Sequence, residues 1–309
     1  MKDFLVICGP TAAGKSSVAV ELAERLGGEI VSADSMQLYR GLDIGTDKPP
    51  PELTGRVPHH MIDVVDPGEG YSAARYEREA GEIIDRLLAR KKLPIVVGGS
   101  GLYIRILING IFPAPPASVA IRRRLKDESR DKGAHALYER LLTVDPEYAR
   151  VAAPTDLRRI VRALEVFELT GATLSSWHER HRSGRKTRDP FMAGIRRSRE
   201  DLYRRIDRRV DEMFARGLID EVRVFCEKGF SGALRELRPL GYIEALDYLE
   251  GRIDAEEAIR LTKRNSRRFA KRQMTWFRKE DVNWIDLDPS DEAPEATAKI
   301  MAAIPWSVS

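Results

Sequence analysis

Gly9-Pro10-Thr11-Ala12-Ala13-Gly14-Lys15-Ser16 is the stretch whose reading decides the fold. An apolar run, Phe4-Leu5-Val6-Ile7-Cys8, leads into it and reads as a buried parallel strand. Behind it, Val18, Leu22 and Leu26 recur every four residues with Ala19 and Ala23 beside them, one apolar helical face. Strand, glycine-bounded loop and helix is the context in which GxxxxGK[ST] becomes a phosphate cradle. The glycines let backbone N–H groups turn toward an anion, the helix N-terminus adds partial positive charge, and Lys15 adds a full one. An ordinary glycine turn would leave Lys15 unexplained, because a cation at a helix N-terminus is unfavourable. Gly9 to Ser16 are therefore expected to hold a phosphate group, with the Ser16 hydroxyl on a magnesium ion that bridges phosphate oxygens. The loop alone does not say which phosphate.

Outward from the loop, Glu29 to Ala33 reads as a second strand running into Asp34-Ser35-Met36-Gln37. Ligands of open parallel sheets bind just past the C-terminal ends of the strands, which makes Asp34 a residue to watch. A turn or helix-capping aspartate is the plainer reading of its position. Gly41 to Val57 is a glycine- and proline-rich loop, and His59-His60 opens a short strand on which adjacent side chains face opposite ways. Ser72 caps a helix that ends at Lys91-Lys92. Pro94 to Val97 is another buried strand, emptying into Gly98-Gly99-Ser100-Gly101. That second glycine turn would bring backbone amides and the Ser100 hydroxyl to the same sheet edge.

The alternation of strand and helix stops at Ile111-Phe112-Pro113-Ala114-Pro115-Pro116, and from Ala117 to Arg182 only helical periodicity remains. His178 and His181 have no carboxylate or cysteine to complete a metal set and read as solvated surface. Ser183 to Arg188 reads as a flexible basic hinge, after which Phe191 to Ile195 resumes the sheet. On the next helix Arg205 and Arg209 lie four apart, and either could clamp a phosphate, although a solvated face laced with Glu200, Asp207 and Asp211 is the plainer reading. Between Arg260 and Lys279 there are nine basic residues and no acidic one. Arg264, Arg268 and Arg272 repeat every four with Lys271 adjacent, so one helix face is a positive stripe that a phosphate backbone would compensate. Phe269, Met274, Trp276 and Phe277 interleave with it, suited to packing beneath the stripe or to stacking on bases.

The fold expected is α/β: a P-loop-type parallel sheet flanked by helices, with an all-helical insertion domain. Residues 1–113 and 188–309 would form the catalytic core with its C-terminal basic helices, and 114–187 the insertion. A chain of 309 residues with 42% apolar and 32% charged content supports a real core without general disorder. Its net charge is only +4, so the clustering of basic residues says more about partners than their total. Two isolated cysteines, Cys8 and Cys226, fit a reducing compartment and exclude a disulfide framework or a cysteine zinc site. Met1-Lys2-Asp3 runs straight into the first strand and no apolar run approaches membrane-spanning length. A soluble cytoplasmic protein with no membrane contact, and a monomer, is the expectation.

An anionic pocket joined to a basic helix suggests a small phosphorylated substrate meeting a nucleic acid. A P-loop kinase or nucleotide hydrolase acting on RNA would use the pocket for ATP. A transferase would use it to hold pyrophosphate as a leaving group. The kinase reading calls for a magnesium-holding aspartate after a buried strand; the strand ending at Val97 offers Gly98-Gly99-Ser100, leaving Asp63 and Asp66 as the remaining acids.

The sequence also resembles the bacterial tRNA dimethylallyltransferases. Gly9 to Ser16, Ser32 to Tyr39, Asp43 to Pro49, Val97 to Tyr103, Arg162 to Val166, Leu240-Gly241-Tyr242 and Lys271 to Phe277 carry the resemblance, in family order and across almost the whole chain. The family usually has threonine where this chain has Ser100; the hydroxyl survives with one methyl less to fix its rotamer. The resemblance implies dimethylallyl pyrophosphate in the cradle and the anticodon stem-loop of tRNA as acceptor, prenylated on the adenosine 3′ of the anticodon. It implies Asp34 as general base for the adenine N6, and Lys15, Ser100 and Arg205 or Arg209 as partners of the leaving pyrophosphate. It further implies tRNA contacts at Asp34, Ser35, Met36, Gln37, Ser100, Arg122 and Arg158 to Arg162 (Arg158, Arg159, Ile160, Val161, Arg162), beside Arg264, Arg268, Lys271 and Arg272 of the stripe.

Overall fold

The computed structural model describes residues 3–111, 115–182 and 188–305, with only the backbone of His181 and Arg182. Two compact units result, Met1–Ile108 with Thr187–Ser309, and Asn109–Lys186. The first contains β1 (Leu5–Cys8), α1 (Lys15–Leu26), β2 (Gly28–Ser32), α2 (Pro51–Thr54), β3 (His59–His60), α3 (Ala73–Ala89), β4 (Leu93–Gly98) and α4 (Gly101–Asn109). It resumes with β5 (Phe191–Arg197), α10 (Arg199–Ala215), α11 (Leu218–Glu227), α12 (Ser231–Leu237), α13 (Tyr242–Leu249), α14 (Ala255–Phe277), β6 (Asn283–Leu287) and α15 (Ala293–Ala303). The second holds α5 (Val119–Lys132), α6 (Ala134–Val144), α7 (Pro146–Ala149), α8 (Leu157–Thr170) and α9 (Leu174–Arg182).

The six strands form one sheet in the order β3-β2-β4-β1-β5-β6, every neighbouring pair parallel. β1 is central, Leu5 opposite Ile95 on one side and Phe191 on the other, which is why its four residues are all apolar and all buried. Helices cover the sheet: α1 lays Val18, Ala19, Val20, Leu22 and Ala23 into a core that also takes Ala296 and Ile300 of α15. Burying Val18 and Leu22 contributes about 2 kcal/mol each. Because β1, β2, β4 and β5 run the same way, their C-terminal ends and the loops that follow lie along a single edge.

The helical unit has its own core, with Leu125, Leu137, Leu141, Ile160 and Leu164 fully buried. Asp145 caps α7 through the Tyr148 amide and also accepts from Ser175 N–H, joining α7 to α9. The basic hinge expected at residues 183–188 lies outside the described residues except for Arg188, which pairs with Asp85 on α3. No helix among the described residues is long and apolar enough to cross a membrane.

Candidate active site at the C-terminal edge of the sheet

The phosphate loop leaves β1 with Gly9 at φ 139°, where a Cβ would stand 2.6 Å from the Ile195 carbonyl oxygen of β5. Gly14, at φ 97°, precedes the first turn of α1 in the left-handed region that other residues avoid. Four side chains hold the loop between these points. Gln273 of α14 accepts from Thr11 N–H at 2.8 Å, and Arg209 of α10 donates to the Thr11 hydroxyl. Arg197, at the end of β5 and 2% exposed, donates through Nε to the Ala13 carbonyl at 3.1 Å. Its other nitrogens reach Asp201 and the carbonyls of Asp288 and Asp291, so this buried cation is fully paired behind the loop. Lys15 Nζ donates to the Pro10 carbonyl at 2.7 Å.

Thr11, Lys15 and Ser16 face an open pocket whose other walls include Asp34, Gln37, Asp47, Arg209 and Gln273. Burial, and then the Arg209 guanidinium, lower the Lys15 pKa to about 8, with Asp34 and Asp47 pulling the other way. An arriving anion would hold that proton more firmly. Asp34 Oδ1 accepts from Met36 N–H at 2.8 Å, as the plainer turn reading expects, and the residue also lines the pocket. Gln37 accepts from Ser32 Oγ at 3.0 Å and donates to the carbonyls of Thr46 and Asp47, each at 3.2 Å. That fastens the 43–47 loop, whose Asp47 Oδ2 receives Arg209 Nη1 at 2.9 Å. Glu221 of α11 braces the same loop by accepting from the amides of Asp43 and Ile44.

The other expected residues lie as follows. Arg205 faces away from the pocket, 3.4 Å from Asp201 and 3.6 Å from Glu292, so of the two arginines it is Arg209 that enters the site. The pocket wall at the β4 turn is Gly98 and Gly99; the Ser100 hydroxyl instead accepts from Ser35 N–H at 3.1 Å, bracing the Asp34 turn. Ile160 and Val161 are core residues of the helical unit, so their side chains are closed to any ligand. Arg122 and Arg162 converge on the fully buried Glu165, with Nε of Arg122 2.8 Å from Oε1 and Nη1 of Arg162 2.5 Å from Oε2. Arg158 is exposed and Arg159 pairs with Asp156 at 3.3 Å.

On α14, Lys263 and Arg267 are neutralised by Asp211 and Asp207 of α10, part of the compensation that the stripe requires. Among the described residues Arg264, Arg268, Lys271 and Arg272 make no ion pair, although Arg264 is near enough to Glu257 to help lower its pKa. Of the aromatics, Phe277 is buried and Trp276 is covered by the Arg105 guanidinium 4.2 Å from its ring, which leaves Phe269 at the pocket.

Asp47 and His59 also line the pocket without a role expected of either from the sequence, although Asp47 falls within the Asp43 to Pro49 stretch that carries the family resemblance. Asp47 lies in a loop whose reach depends on Gln37 and Glu221. His59 faces inward, its Nδ1 2.9 Å from the Val57 carbonyl and its pKa lowered by burial, so it is neutral near pH 7. The alternation of His59 and His60 on β3 is the one available hint, since the two side chains must point to opposite faces of the sheet.

Residues 37–280 match the family model described as IPP transferase. The chain belongs to the IPP transferase family. A tRNA dimethylallyltransferase of Geobacter sulfurreducens is 50% identical over 92% of this chain and 91% of its own length. One of Geobacillus kaustophilus is 44% identical over 96% and 93%. Among solved structures, the full-length tRNA isopentenylpyrophosphate transferase of Bacillus halodurans is 40% identical with a TM-score of 0.71, covering 98% of this chain and 96% of that one. A eukaryotic dimethylallyltransferase acting on tRNA superposes with a TM-score of 0.80 at 29% identity, over 98% of this chain and 78% of the other. In this family member the cradle, the Asp34 turn and the β4 glycine turn all sit on the first unit's sheet.

Proposed function

We propose that this tRNA-prenylating enzyme takes dimethylallyl pyrophosphate into the pocket and transfers its dimethylallyl group to N6 of the adenosine 3′ of the anticodon. The reaction class is that of the relatives matched along nearly the whole chain. What supports the site assignment is one observation: a single pocket brings the Lys15 ammonium and the Arg209 guanidinium together with the Asp34 carboxylate. A cation pair suits a leaving anion, and a carboxylate suits the proton that must leave the nucleophile.

The adenine N6 lone pair is delocalised into the ring, so N6 attacks the allylic carbon only as its proton departs. Asp34 takes that proton as the N–C bond forms and the C–O bond to pyrophosphate breaks. Lys15, Arg209 and the free amides at the start of α1 receive the negative charge that gathers on the pyrophosphate. The adenine must leave its stack to reach the pocket, where Phe269 stands with the Arg272 guanidinium 5.6 Å from its ring. Arg264, Arg268, Lys271 and Arg272 would carry the tRNA backbone.

The donor set also fits magnesium. Among the described residues there is no group of three histidines, cysteines or acids that could hold a metal alone. The Ser16 hydroxyl faces the pocket, as suits a hard cation that keeps waters and takes most ligands from phosphate. Bound there, magnesium would neutralise charge on the leaving group.

A kinase acting on RNA is the competing chemistry, and a side-by-side assay separates the two. Label should pass from dimethylallyl pyrophosphate to tRNA without ATP; ATP-dependent phosphorylation of the RNA would overturn the proposal. The cytoplasm, where tRNA is processed, is the proposed location, and a monomer the proposed state.

A further inference from the structure

We infer that Gln273 is a positioning residue for the transfer reaction, fixing the phosphate loop against the β4 glycine turn through the two ends of one side-chain amide. The buried face of α14 is otherwise Ala258, Thr262, Ser266, Ala270 and Phe277, small or apolar residues that suit packing. Gln273 interrupts it with a long polar side chain, 6% exposed and facing the pocket. Its Oε1 accepts from Thr11 N–H at 2.8 Å, and its Nε2 donates to the Gly99 carbonyl at 3.0 Å.

The two partners fix the amide's orientation, since a flipped amide would set N–H against N–H and oxygen against oxygen. They also fix the residue type. Glutamate would place a carboxylate oxygen against the Gly99 carbonyl, and methionine would match the length while leaving both backbone groups unpaired. Glycine at 99 belongs to the same arrangement, because a Cβ there would lie 2.0 Å from Gln273 Nε2. The chain thus joins loops that follow β1 and β4 by a residue from neither, on a helix distant in sequence.

The bond to Thr11 has a chemical consequence. The Thr11 N–H is turned toward Gln273, so the amides left for an anion are those nearer the start of α1. With Arg209 on the Thr11 hydroxyl, this residue is held from its backbone and from its side chain. The separation between the cradle and the wall formed by Gly98 and Gly99 is then set by one rigid helix. Ser100, next in chain, braces the Asp34 turn, so the same amide also fixes where the general base stands relative to the pyrophosphate. A displacement of about 1 Å between reacting groups can cost on the order of 100-fold in rate.

The inference rests on the phosphate loop being the pyrophosphate site, and the test keeps the two apart. Gln273→Met, Gln273→Asn and Lys15→Ala are assayed for kcat, KM for dimethylallyl pyrophosphate, tRNA affinity and thermal stability. Gln273→Met, corrected for folded fraction, should lower kcat about 10- to 100-fold and raise KM for the donor, with tRNA affinity unchanged. Gln273→Asn keeps the amide one methylene short and should move the same parameters less; it carries the test if Gln273→Met does not fold. A variant that melts earlier yet retains wild-type kcat and KM per folded molecule would overturn the inference, because that is how a purely structural glutamine behaves. Lys15→Ala should raise KM for the donor. If it does not, the loop is not the pyrophosphate site and the inference falls with it; if it does while the folded Gln273 variants match wild type, the inference alone is lost.

Discussion

The basic residues of the helical unit and those of α14 stand in opposite relations to carboxylates. Arg122 and Arg162 close on Glu165, a side chain with no exposure, which takes Ser118 N–H at 2.8 Å as well. Arg264, Arg268, Lys271 and Arg272 make no ion pair among the described residues, although Asp207 and Asp211 neutralise their neighbours. In the first cluster the positive charge is consumed in building the unit. In the second it remains available, and a chain of phosphates is the partner that would use it. The same division separates two carboxylates, Glu165 walled in by guanidinium groups and Asp34 open to a pocket.

The sharpest way to test that division is to exchange the fates of the two acids. Asp34→Asn keeps an acceptor for the Met36 amide and removes the proposed base, so turnover should drop about 100- to 10,000-fold with tRNA binding and melting temperature retained. Unchanged turnover would remove Asp34 from the chemistry. Glu165→Ala should do the reverse. It leaves the Ser118 amide and two partly exposed arginines without their acceptor, which should cost about 1–3 kcal/mol. Hydrogen exchange along α8 would report the loss, and exchange rates equal to wild type would break the contrast.

Acid gives a gentler version of the same comparison. Burial pushes the Glu165 pKa up, but Arg122, Arg162 and the Ser118 amide outweigh it and leave the pKa below the ordinary value of 4.5. A depressed carboxyl pKa contributes stability that is complete above the unfolded value and is lost as pH falls through the folded one. The helical unit should therefore weaken only below about pH 4.5, followed by exchange or by tryptophan emission. Glu165→Gln should flatten that part of the acid profile; a profile unaltered by the substitution would assign the acid sensitivity elsewhere.

These contrasts also mark what the amino-acid order could reveal. The strand and helix around Gly9 to Ser16 were legible because apolar periodicity and glycine placement act locally. The Asp34 turn followed from its place after a strand. The site's fine structure depends on residues far apart in the chain, and spacing does not record which of them the fold brings together. Arg205 and Arg209 are equivalent on a helical wheel, and only the fold sends one to Asp201 and the other to Thr11 and Asp47. Arg158 and Arg162 share the four-residue spacing of Arg264 and Arg268, yet Glu165 claims Arg162. Gln273 sits inside a motif that marks the family, where its neighbours Lys271 and Arg272 draw attention by charge while its uncharged amide does not.

The smallest expected effect concerns the cations on α14. Arg264→Ala with Arg268→Ala removes side chains that make no ion pair among the described residues, so stability should stay within about 0.5 kcal/mol. Binding should respond differently. Each phosphate that no longer meets a cation takes about 0.7–0.9 off the slope of log affinity against log salt, so the double variant should flatten that slope by about 1.5 and bind tRNA more weakly at low salt. The control is Lys263→Ala, whose ammonium already faces Asp211 at 2.7 Å and should leave the slope where it was. If the double variant and the control change the slope alike, the absence of an ion pair carries no information about RNA, and α14 is a solvated helix. If only the double variant moves it, the carboxylates of α10 have sorted one helix into residues that hold the protein together and residues that hold the tRNA.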